Sequence, residues 1–188
     1  MASTNDFRNG AVLKMDGELY RIEEYEHRTP GNLRAFVQAK LRSLRTGNLK
    51  EMRYRSGESV EMVRMEKKTF QYLYKDGDDF VFMNTETYEQ INVPSLVVGD
   101  VAKFIRESDN ADIIFAEDGT IVAVEVPPAV VLTIVQTDPG MRGDTATGGT
   151  KPAKLETGAM VNVPLFLNEG DMVKVDTRTG QYLERVKK

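Results

Sequence analysis

Short runs of alternating apolar and polar residues follow one another along most of this chain, and turn-forming dipeptides separate them. Such alternation is typical of β-strands that bury one face, and an Asp-Gly pair between two runs is typical of a tight hairpin. The pattern predicts three hairpins, whose strands are residues 11–15 and 18–23, 70–74 and 80–83, and 113–116 and 120–126. Only residues 95–107 have a helical pattern. We therefore expect an all-β protein.

Two interruptions of this pattern mark domain boundaries. Pro127 and Pro128 cannot donate hydrogen bonds to a sheet ladder, and a proline keeps the residue before it extended. A second boundary is expected near residues 64–67, where a basic segment ends. The chain then divides into residues 1–64, 65–127 and 128–188, each near the lower size limit for an independent core. Small closed barrels of the SH3-like and OB kinds suit this size, because closure removes exposed sheet edges.

Charge is distributed unevenly among these segments. The formal net charge is -4 overall, but it is +3 over residues 1–64, -8 over 65–127 and +1 over 128–188. Between Arg28 and Arg55 the chain carries eight basic residues and one acid, Glu51. The basic residues are Arg28, Arg34, Lys40, Arg42, Arg45, Lys50, Arg53 and Arg55. Such local contrast in an acidic protein points to a polyanionic partner, and RNA is the first candidate.

Several classes of chemistry have no support in the sequence. The chain has no cysteine and one histidine, His27, which excludes thiolate and histidine-pair metal sites and cysteine nucleophiles. No nucleophile, base and orienting partner can be assembled by spacing, so we expect a protein that is not an enzyme and has no cofactor or metal. The sequence has neither a signal peptide nor an apolar run long enough to cross a bilayer. We therefore expect a cytoplasmic protein without a membrane partner.

The last third of the chain carries a long and specific motif. From Lys151 to Gly170 it has the form Lys-x-Ala-x4-Gly-x2-Val-x-Val-Pro-x2-Leu-x2-Gly, and residues 173–180 continue it as Val-Lys-Val-Asp-Thr-Arg-Thr-Gly. Together with matching segments at 138–145 and 82–90, this motif makes the chain similar to bacterial elongation factor P over essentially its full length.

The resemblance implies both a fold and a function. It implies three barrels, an SH3-like (KOW-type) barrel followed by two OB-fold barrels, in an elongated L shape similar to tRNA. It also implies a monomeric, non-enzymatic factor without a small-molecule substrate. Such a factor binds both ribosomal subunits between the P and E sites, beside peptidyl-tRNA. There it stimulates peptide-bond formation and relieves stalling at consecutive prolines.

Residues 28–36 correspond to the tip loop that reaches the tRNA acceptor end in this family. The loop reads Pro30, Gly31, Asn32, Leu33 and Arg34, and the alignment continues without a gap on both sides. Many family members carry a covalently extended lysine or arginine where this chain has Asn32. An amide offers neither an amine nor a guanidinium to that chemistry, so we expect the protein to work unmodified, with the Asn32 amide contacting the tRNA. An alternative places a modification on Arg34 or on a shifted loop.

Three further groups of residues are candidate RNA contacts. Basic residues of the first domain are expected to bind the tRNA or rRNA backbone, namely Arg28, Lys40, Arg42, Arg45, Arg53 and Arg55. The resemblance implies that Gly143, Asp144 and Thr145 reach the small subunit and the E-site codon. It also implies that Tyr182 and Arg185 contact the ribosome near the C-terminus. The alternatives are a solvated basic face, a simple interstrand loop, and a Tyr182 that packs inside the last barrel.

Two other functions are compatible with the sequence. One is that of the elongation factor P-like paralogue, although the intact motif at 151–170 favours elongation factor P proper. The other is that of an OB-fold RNA-binding protein without a ribosomal role. That function predicts aromatic stacking platforms on a barrel face, to which the scattered Phe and Tyr residues give little support.

Overall fold

A computed structural model of the chain describes residues 2–31, 34–139 and 149–187. These residues form sixteen β-strands in three sheets, together with one short α-helix and two 3-10 helices. The prediction of an all-β protein is confirmed.

The first sheet has six strands in the order β1-β6-β2-β3-β4-β5. The strands are β1 (Ala2–Ser3), β2 (Val12–Met15), β3 (Glu18–Arg28), β4 (Phe36–Ser43), β5 (Leu49–Arg55) and β6 (Ser59–Val63), and a 3-10 helix (Thr4–Asp6) follows β1. The first predicted hairpin is confirmed, because β2 and β3 pair antiparallel with Met15 opposite Glu18. Asp16 and Gly17 both have positive φ, 53° and 80°, which is the geometry of a two-residue turn that follows the strand twist.

The core of this sheet comes from the inward residues of its longer strands. On β4, Val37, Ala39 and Leu41 alternate with more exposed residues and are fully buried. They pack with Phe7 and Tyr54, whose rings meet edge to face at 5.4 Å between centroids. The strict period of two on β4 therefore fixes which of its side chains face outward.

The second sheet has five strands in the order β11-β10-β7-β8-β9. They are β7 (Met65–Asp76), β8 (Asp79–Asn84), β9 (Gln90–Pro94), β10 (Asn110–Ala116) and β11 (Ile121–Glu125). The second and third predicted hairpins are confirmed by the pairing of β7 with β8 and of β10 with β11. The ring of Tyr72 lies 5.6 Å from that of Phe80 and 5.3 Å from that of Phe82, and all three residues are buried.

The predicted helix at residues 95–107 is much shorter than expected. An α-helix, α1 (Ser95–Val98), is followed directly by a 3-10 helix (Gly99–Lys103). Gly99 has φ 57° and ψ -140°, a backbone conformation that cannot continue an α-helix. Beyond Lys103 the chain turns, and the carboxylate of Asp109 accepts hydrogen bonds from the backbone and side chain of Arg106. The helical pattern of the sequence was therefore too long by several residues.

The third sheet has five strands in the order β14-β13-β12-β15-β16. They are β12 (Ala129–Thr137), β13 (Thr150–Leu155), β14 (Met160–Pro164), β15 (Met172–Asp176) and β16 (Tyr182–Val186). Their inward residues form one buried cluster, which includes Leu132, Leu155, Val163 and Val173. The alternation along β13 and β14 is complete, with every second residue buried.

Contacts between residues group the chain into two compact units. One comprises Met1–Lys68 with Ile113–Ala123, and the other comprises Thr69–Asp112 with Val124–Lys188. In the first unit, Val12 is buried against Ala116 and Val122. In the second unit, Phe104 belongs to the same buried cluster as the inward residues of the third sheet. The domain limits 1–64, 65–127 and 128–188 stay predictions.

Candidate nucleic-acid interface

The outer face of β3, β4 and β5 carries most of the basic residues that the sequence singled out. Phe36, Gln38, Lys40 and Arg42 alternate with the buried residues of β4 and so lie on this outer face. The neighbouring strands extend the face on both sides, since β4 pairs antiparallel with β3 and with β5. We call this surface the outer face of the N-terminal sheet.

Much of the outer face is already neutralised by carboxylates of β3. The Lys40 ammonium lies 3.0 Å from a Glu24 carboxylate oxygen, and Arg42 Nε lies 2.8 Å from Glu23 Oε1. Arg45, in the turn after β4, is paired with Glu18. Between Arg28 and Arg55 the sequence has eight cations and one acid. The acids that neutralise several of these cations precede that segment, because they belong to β3.

A bulge in β3 places two successive glutamates against these cations. Ile22 stands opposite Leu41 and Glu24 opposite Lys40, so Glu23 is an extra residue between the two pairs. In a regular strand successive side chains point to opposite faces, whereas an inserted residue relaxes that rule. Glu23 consequently reaches Arg42 and also accepts a hydrogen bond of 2.7 Å from Arg21.

Two pKa shifts record this pairing. Burial alone would raise the pKa of Glu23, but the hydrogen bonds from Arg21 and Arg42 outweigh it and lower the pKa below its ordinary value. The hydrogen bond to Glu24 raises the pKa of Lys40. Both shifts favour the charged forms of these side chains.

At the end of the outer face nearest to residues 28–36, an arginine is stacked on an aromatic ring. There Phe36 stands directly opposite Arg28 on β3 and Arg55 on β5. The guanidinium of Arg53 lies over the Phe36 ring, with its central carbon 3.5 Å from the ring centroid. This is a cation–π stack, which leaves the edge of the guanidinium free to donate hydrogen bonds. We call Phe36, Arg53 and Arg55 the tip-end cluster.

The tip-end cluster keeps an excess of positive charge. Arg28 is paired with Glu26 at 2.9 Å, but within residues 2–31, 34–139 and 149–187 the guanidinium groups of Arg53 and Arg55 form no ion pair. Arg34, two residues before Phe36, is also exposed and forms no ion pair with the described residues. Of the predicted backbone contacts, Arg53 and Arg55 are therefore the two whose charge is available without breaking an existing pair.

Phe36 is a site residue that the sequence reasoning missed. The signal was available, because a period of two places Phe36 on the same strand face as Lys40 and Arg42. Its stack with Arg53 depended on the register of β5, which brings Gln38 opposite Arg53 and so sets Arg53 diagonal to Phe36. That register was not predicted.

Part of the predicted tip loop is described. Pro30 is half-buried and Gly31 is exposed, whereas Asn32 and Leu33 lie outside the described residues. Gly143, Asp144 and Thr145 also lie outside them. The predicted contacts of these five residues stay predictions.

The chain on the two sides of residues 140–148 is joined by a buried lysine. Lys151 is 6% exposed, and its ammonium donates a hydrogen bond of 2.7 Å to the carbonyl oxygen of Asp138. Close by, the Thr137 hydroxyl donates to the carbonyl oxygen of Pro152 at 2.9 Å. Both bonds bind the end of β12 to the start of β13.

Tyr182 and Arg185 occupy β16 in different environments. Tyr182 is partly buried against the core of the third sheet, and it also lines a groove of 490 Å³ with Met160 and Asn162. Arg185 is about half exposed and donates a hydrogen bond of 2.8 Å to Asp171. Both the packing role and the contact role that we considered for Tyr182 are compatible with this position.

No group of three or more His, Cys, Asp or Glu side chains among the described residues is arranged to hold a metal ion. No helix among them is long and apolar enough to span a membrane.

Comparison with known proteins gives consistent matches along the whole chain. Three family models match, the "Elongation factor P (EF-P) KOW-like domain" at residues 3–60, the "Elongation factor P (EF-P) OB domain" at 65–124 and "Elongation factor P, C-terminal" at 130–185. Elongation factor P of Chloroherpeton thalassium is 48% identical over 188 residues, which is 100% of both chains. Elongation factor P of Synechocystis sp. is 52% identical over 185 residues, which is 98% of both chains.

A solved structure shares the fold at lower similarity. The structure called eukaryotic translation initiation factor 5A from Methanococcus jannaschii matches with a TM-score of 0.51 at 20% identity, covering 65% of this chain and 92% of its own. At that identity the match describes the fold alone.

Proposed function

The chain belongs to the elongation factor P family, and on that basis we propose that it binds the ribosome beside P-site peptidyl-tRNA and stimulates peptide-bond formation. The observation that carries the proposal beyond family membership is the tip-end cluster. Arg53 and Arg55, whose guanidinium groups form no ion pair with the residues that the structure describes, adjoin the segment that corresponds to the family's tip loop.

The tip-end cluster is suited to the phosphate backbone of the tRNA acceptor arm. A guanidinium that is stacked on a ring is held in one orientation, so less side-chain entropy is lost when it binds a phosphate. Arg53 would donate two parallel hydrogen bonds to one phosphate, and Arg55 would bind a neighbouring phosphate on the other side of Phe36. Phosphate contacts of this kind set the position of a partner without reading its sequence.

The benefit to the reaction would come from positioning. Proline is a restricted nucleophile with a fixed φ, so the ends of two tRNAs that carry prolines can rest in an unreactive geometry. Holding the acceptor end in a near-attack arrangement removes part of the entropic barrier. In this proposal the protein relieves stalling at consecutive prolines, acts in the cytoplasm as a monomer, and is not itself an enzyme, since the ribosome performs the chemistry.

The proposal treats the tip as unmodified. Asn32 would contact the acceptor end through its amide, which both donates and accepts hydrogen bonds, and Arg34 would add charge beside it. The intact mass of the protein isolated from its native host tests this point. A mass equal to that of the plain chain is expected, and an added group at residue 32 or 34 would refute it.

The C-terminal part would supply a second anchor. Gly143, Asp144 and Thr145 are proposed to reach the small subunit, and Tyr182 and Arg185 to contact ribosomal RNA. A half-buried tyrosine on the rim of a groove can stack on a base while its ring stays supported by the core. Arg185 would have to share its charge with Asp171.

Co-sedimentation with ribosomes tests the proposed binding. The wild-type protein should bind ribosomes that carry a P-site tRNA more tightly than empty ribosomes, and Arg53→Ala should remove most of that difference. Lys14→Ala is the matched control, because Lys14 is an exposed cation on β2, in the same unit but outside the tip-end cluster. Equal binding of Arg53→Ala and wild type to P-site-filled ribosomes would contradict the role of the cluster.

A further inference from the structure

Carboxylates of the N-terminal sheet compete with phosphate for the cations of its outer face. Lys40, Arg42 and Arg45 are each paired with a carboxylate of β3, and Lys40 also stands opposite Glu51 on β5. Away from the tip, the face thus carries three cations (Lys40, Arg42 and Arg21) and three carboxylates (Glu23, Glu24 and Glu51), while Arg45, in the turn that follows β4, is paired with Glu18. At the tip end, Arg28 is paired with Glu26, whereas the guanidinium groups of Arg53 and Arg55 form no ion pair with the described residues.

We propose that Glu18, Glu23 and Glu24 are specificity-determining residues, which confine phosphate binding to the tip-end cluster by occupying the other cations of the outer face and Arg45 in the turn that follows β4. This inference rests on the proposed function only for the identity of the specific partner, a ribosome-bound tRNA. The effect of the glutamates on phosphate binding should hold for any nucleic acid.

The dimensions of the face explain why such confinement matters. From Phe36 to Arg42 the strand advances about 20 Å, at about 3.3 Å per residue. A row of free cations of that length would contact several successive phosphates of any RNA strand. Binding of this kind is strong and independent of sequence. The many other RNAs of a cell would therefore compete with the specific partner for this face. A short patch of unpaired cations at one end of the face contacts fewer phosphates. The affinity for a partner then depends more on the other contacts that the partner makes with the protein.

The glutamates weaken phosphate binding mainly because their negative charge stays next to the cations, and less because each ion pair is strong. An exposed pair is weak, and a phosphate could displace Glu24 from Lys40 at little cost in pairing energy. The displaced carboxylate would nevertheless stay on the adjacent strand and repel the phosphate. Because of the bulge at Glu23, two successive carboxylates lie in this position where a regular strand would offer one.

Titration with a short RNA hairpin of arbitrary sequence tests the inference. Fluorescence anisotropy over a series of KCl concentrations gives both the affinity and its salt dependence. Glu24→Gln and Glu18→Gln should each raise the affinity about two- to fivefold at low salt. Each should also steepen the slope of log K against log [KCl] by up to about 0.9, the value for one additional phosphate contact. Both glutamates are on the surface, and glutamine preserves their size.

Glu61→Gln is the matched control. Glu61 is an exposed carboxylate on β6, and it forms no ion pair with the described part of the chain. Its removal changes the net charge equally but breaks no ion pair among the described residues, so the slope should stay at the wild-type value. The same gain in Glu61→Gln and Glu24→Gln would reduce the effect to net charge and overturn the inference. An unchanged affinity in Glu24→Gln and Glu18→Gln would also overturn it.

A double variant identifies the cation that is freed. If Glu18 acts by occupying Arg45, the gain of Glu18→Gln should disappear when Arg45→Ala is added. Persistence of the full gain in the double variant would contradict the pairing mechanism. This titration uses no ribosomes, so failure of the proposed ribosomal function leaves its outcome interpretable.

Discussion

Arg53 holds its guanidinium carbon 3.5 Å from the centroid of the Phe36 ring, and the two residues lie on the neighbouring strands β5 and β4. The stack fixes a positive charge at the end of the sheet that leads into the segment of residues 28–36. Because Arg53 is on β5, the strand β4 lies between it and the carboxylates of β3, which neutralise the cations farther along the face. Phe36 thus helps to determine the place on the N-terminal sheet at which a polyanion can bind.

Replacing Phe36 by leucine tests the importance of the stack without changing the charge. An exposed cation–π contact contributes about 0.5–1 kcal/mol, so Phe36→Leu should weaken binding to P-site-filled ribosomes about two- to fivefold. Phe36→Tyr keeps the ring and should bind like wild type. Binding assays with both variants decide the point, and equal affinities of leucine and tyrosine variants would show that the ring has no positioning role.

The salt dependence of RNA binding should distinguish free cations from paired ones. Arg55→Ala removes a guanidinium that has no carboxylate partner in the described chain, and it should reduce the slope of log K against log [KCl] by about 0.7–0.9. Arg45→Ala removes a cation that Glu18 already neutralises, and it should leave the slope nearly unchanged. Equal reductions in the two variants, measured by anisotropy titration, would contradict the division of these cations into free and paired ones.

Stability at acid pH should depend on Glu23. Its pKa is lowered in the folded protein, so its stabilising contribution is complete above the ordinary value of 4.5 and is lost as the pH falls through the lowered pKa. We expect Glu23→Gln to be less stable than wild type by up to about 1 kcal/mol at neutral pH. Thermal melts from neutral to strongly acid pH should show this difference shrinking below pH 4.5. A difference that stays constant with pH would assign the effect to packing.

The buried ammonium of Lys151 should stabilise the third sheet through its bond to Asp138. Lys151→Met keeps most of the apolar stem but leaves the Asp138 carbonyl without this donor, which should cost about 1–3 kcal/mol. Lys154→Met is the control, since Lys154 lies on the same strand and is exposed. The denaturation midpoint of Lys151→Met should be clearly lower. Similar midpoints for both variants would mean that the bond contributes little.

The hairpins could be predicted because their signals are local. An Asp-Gly pair between two alternating runs specifies both the turn and the register beside it, as Met15 opposite Glu18 shows. The helix at 95–107 was predicted too long because the pattern of apolar residues does not report the backbone conformation of Gly99. Phe104 and Ile105 are nevertheless buried, so the apolar pattern indicated burial correctly and secondary structure incorrectly.

The candidate site was only partly predictable for a different reason. Its cations could be read along the sequence, but the charge of a sheet surface depends on pairing between strands. The bulge at Glu23 shifts the register of β3 against β4, and it decides which carboxylate meets Arg42. The residues that neighbour Glu23 and Arg53 in the sequence indicate neither the bulge nor the diagonal placement of Arg53 over Phe36. The resemblance to a family indicated the segment that corresponds to the tip loop, and the pairing of strands identified Arg53 and Arg55 beside it as cations without an ion pair among the described residues.

The most direct test of the proposed function is the rate of Pro-Pro peptide-bond formation on purified ribosomes, measured with protein whose intact mass shows no modification. We expect acceleration by the wild-type protein, a clear reduction in Asn32→Ala and in Arg53→Ala, and full activity in the control Lys14→Ala. A wild-type protein that binds P-site-filled ribosomes but leaves the rate unchanged would contradict the proposed function.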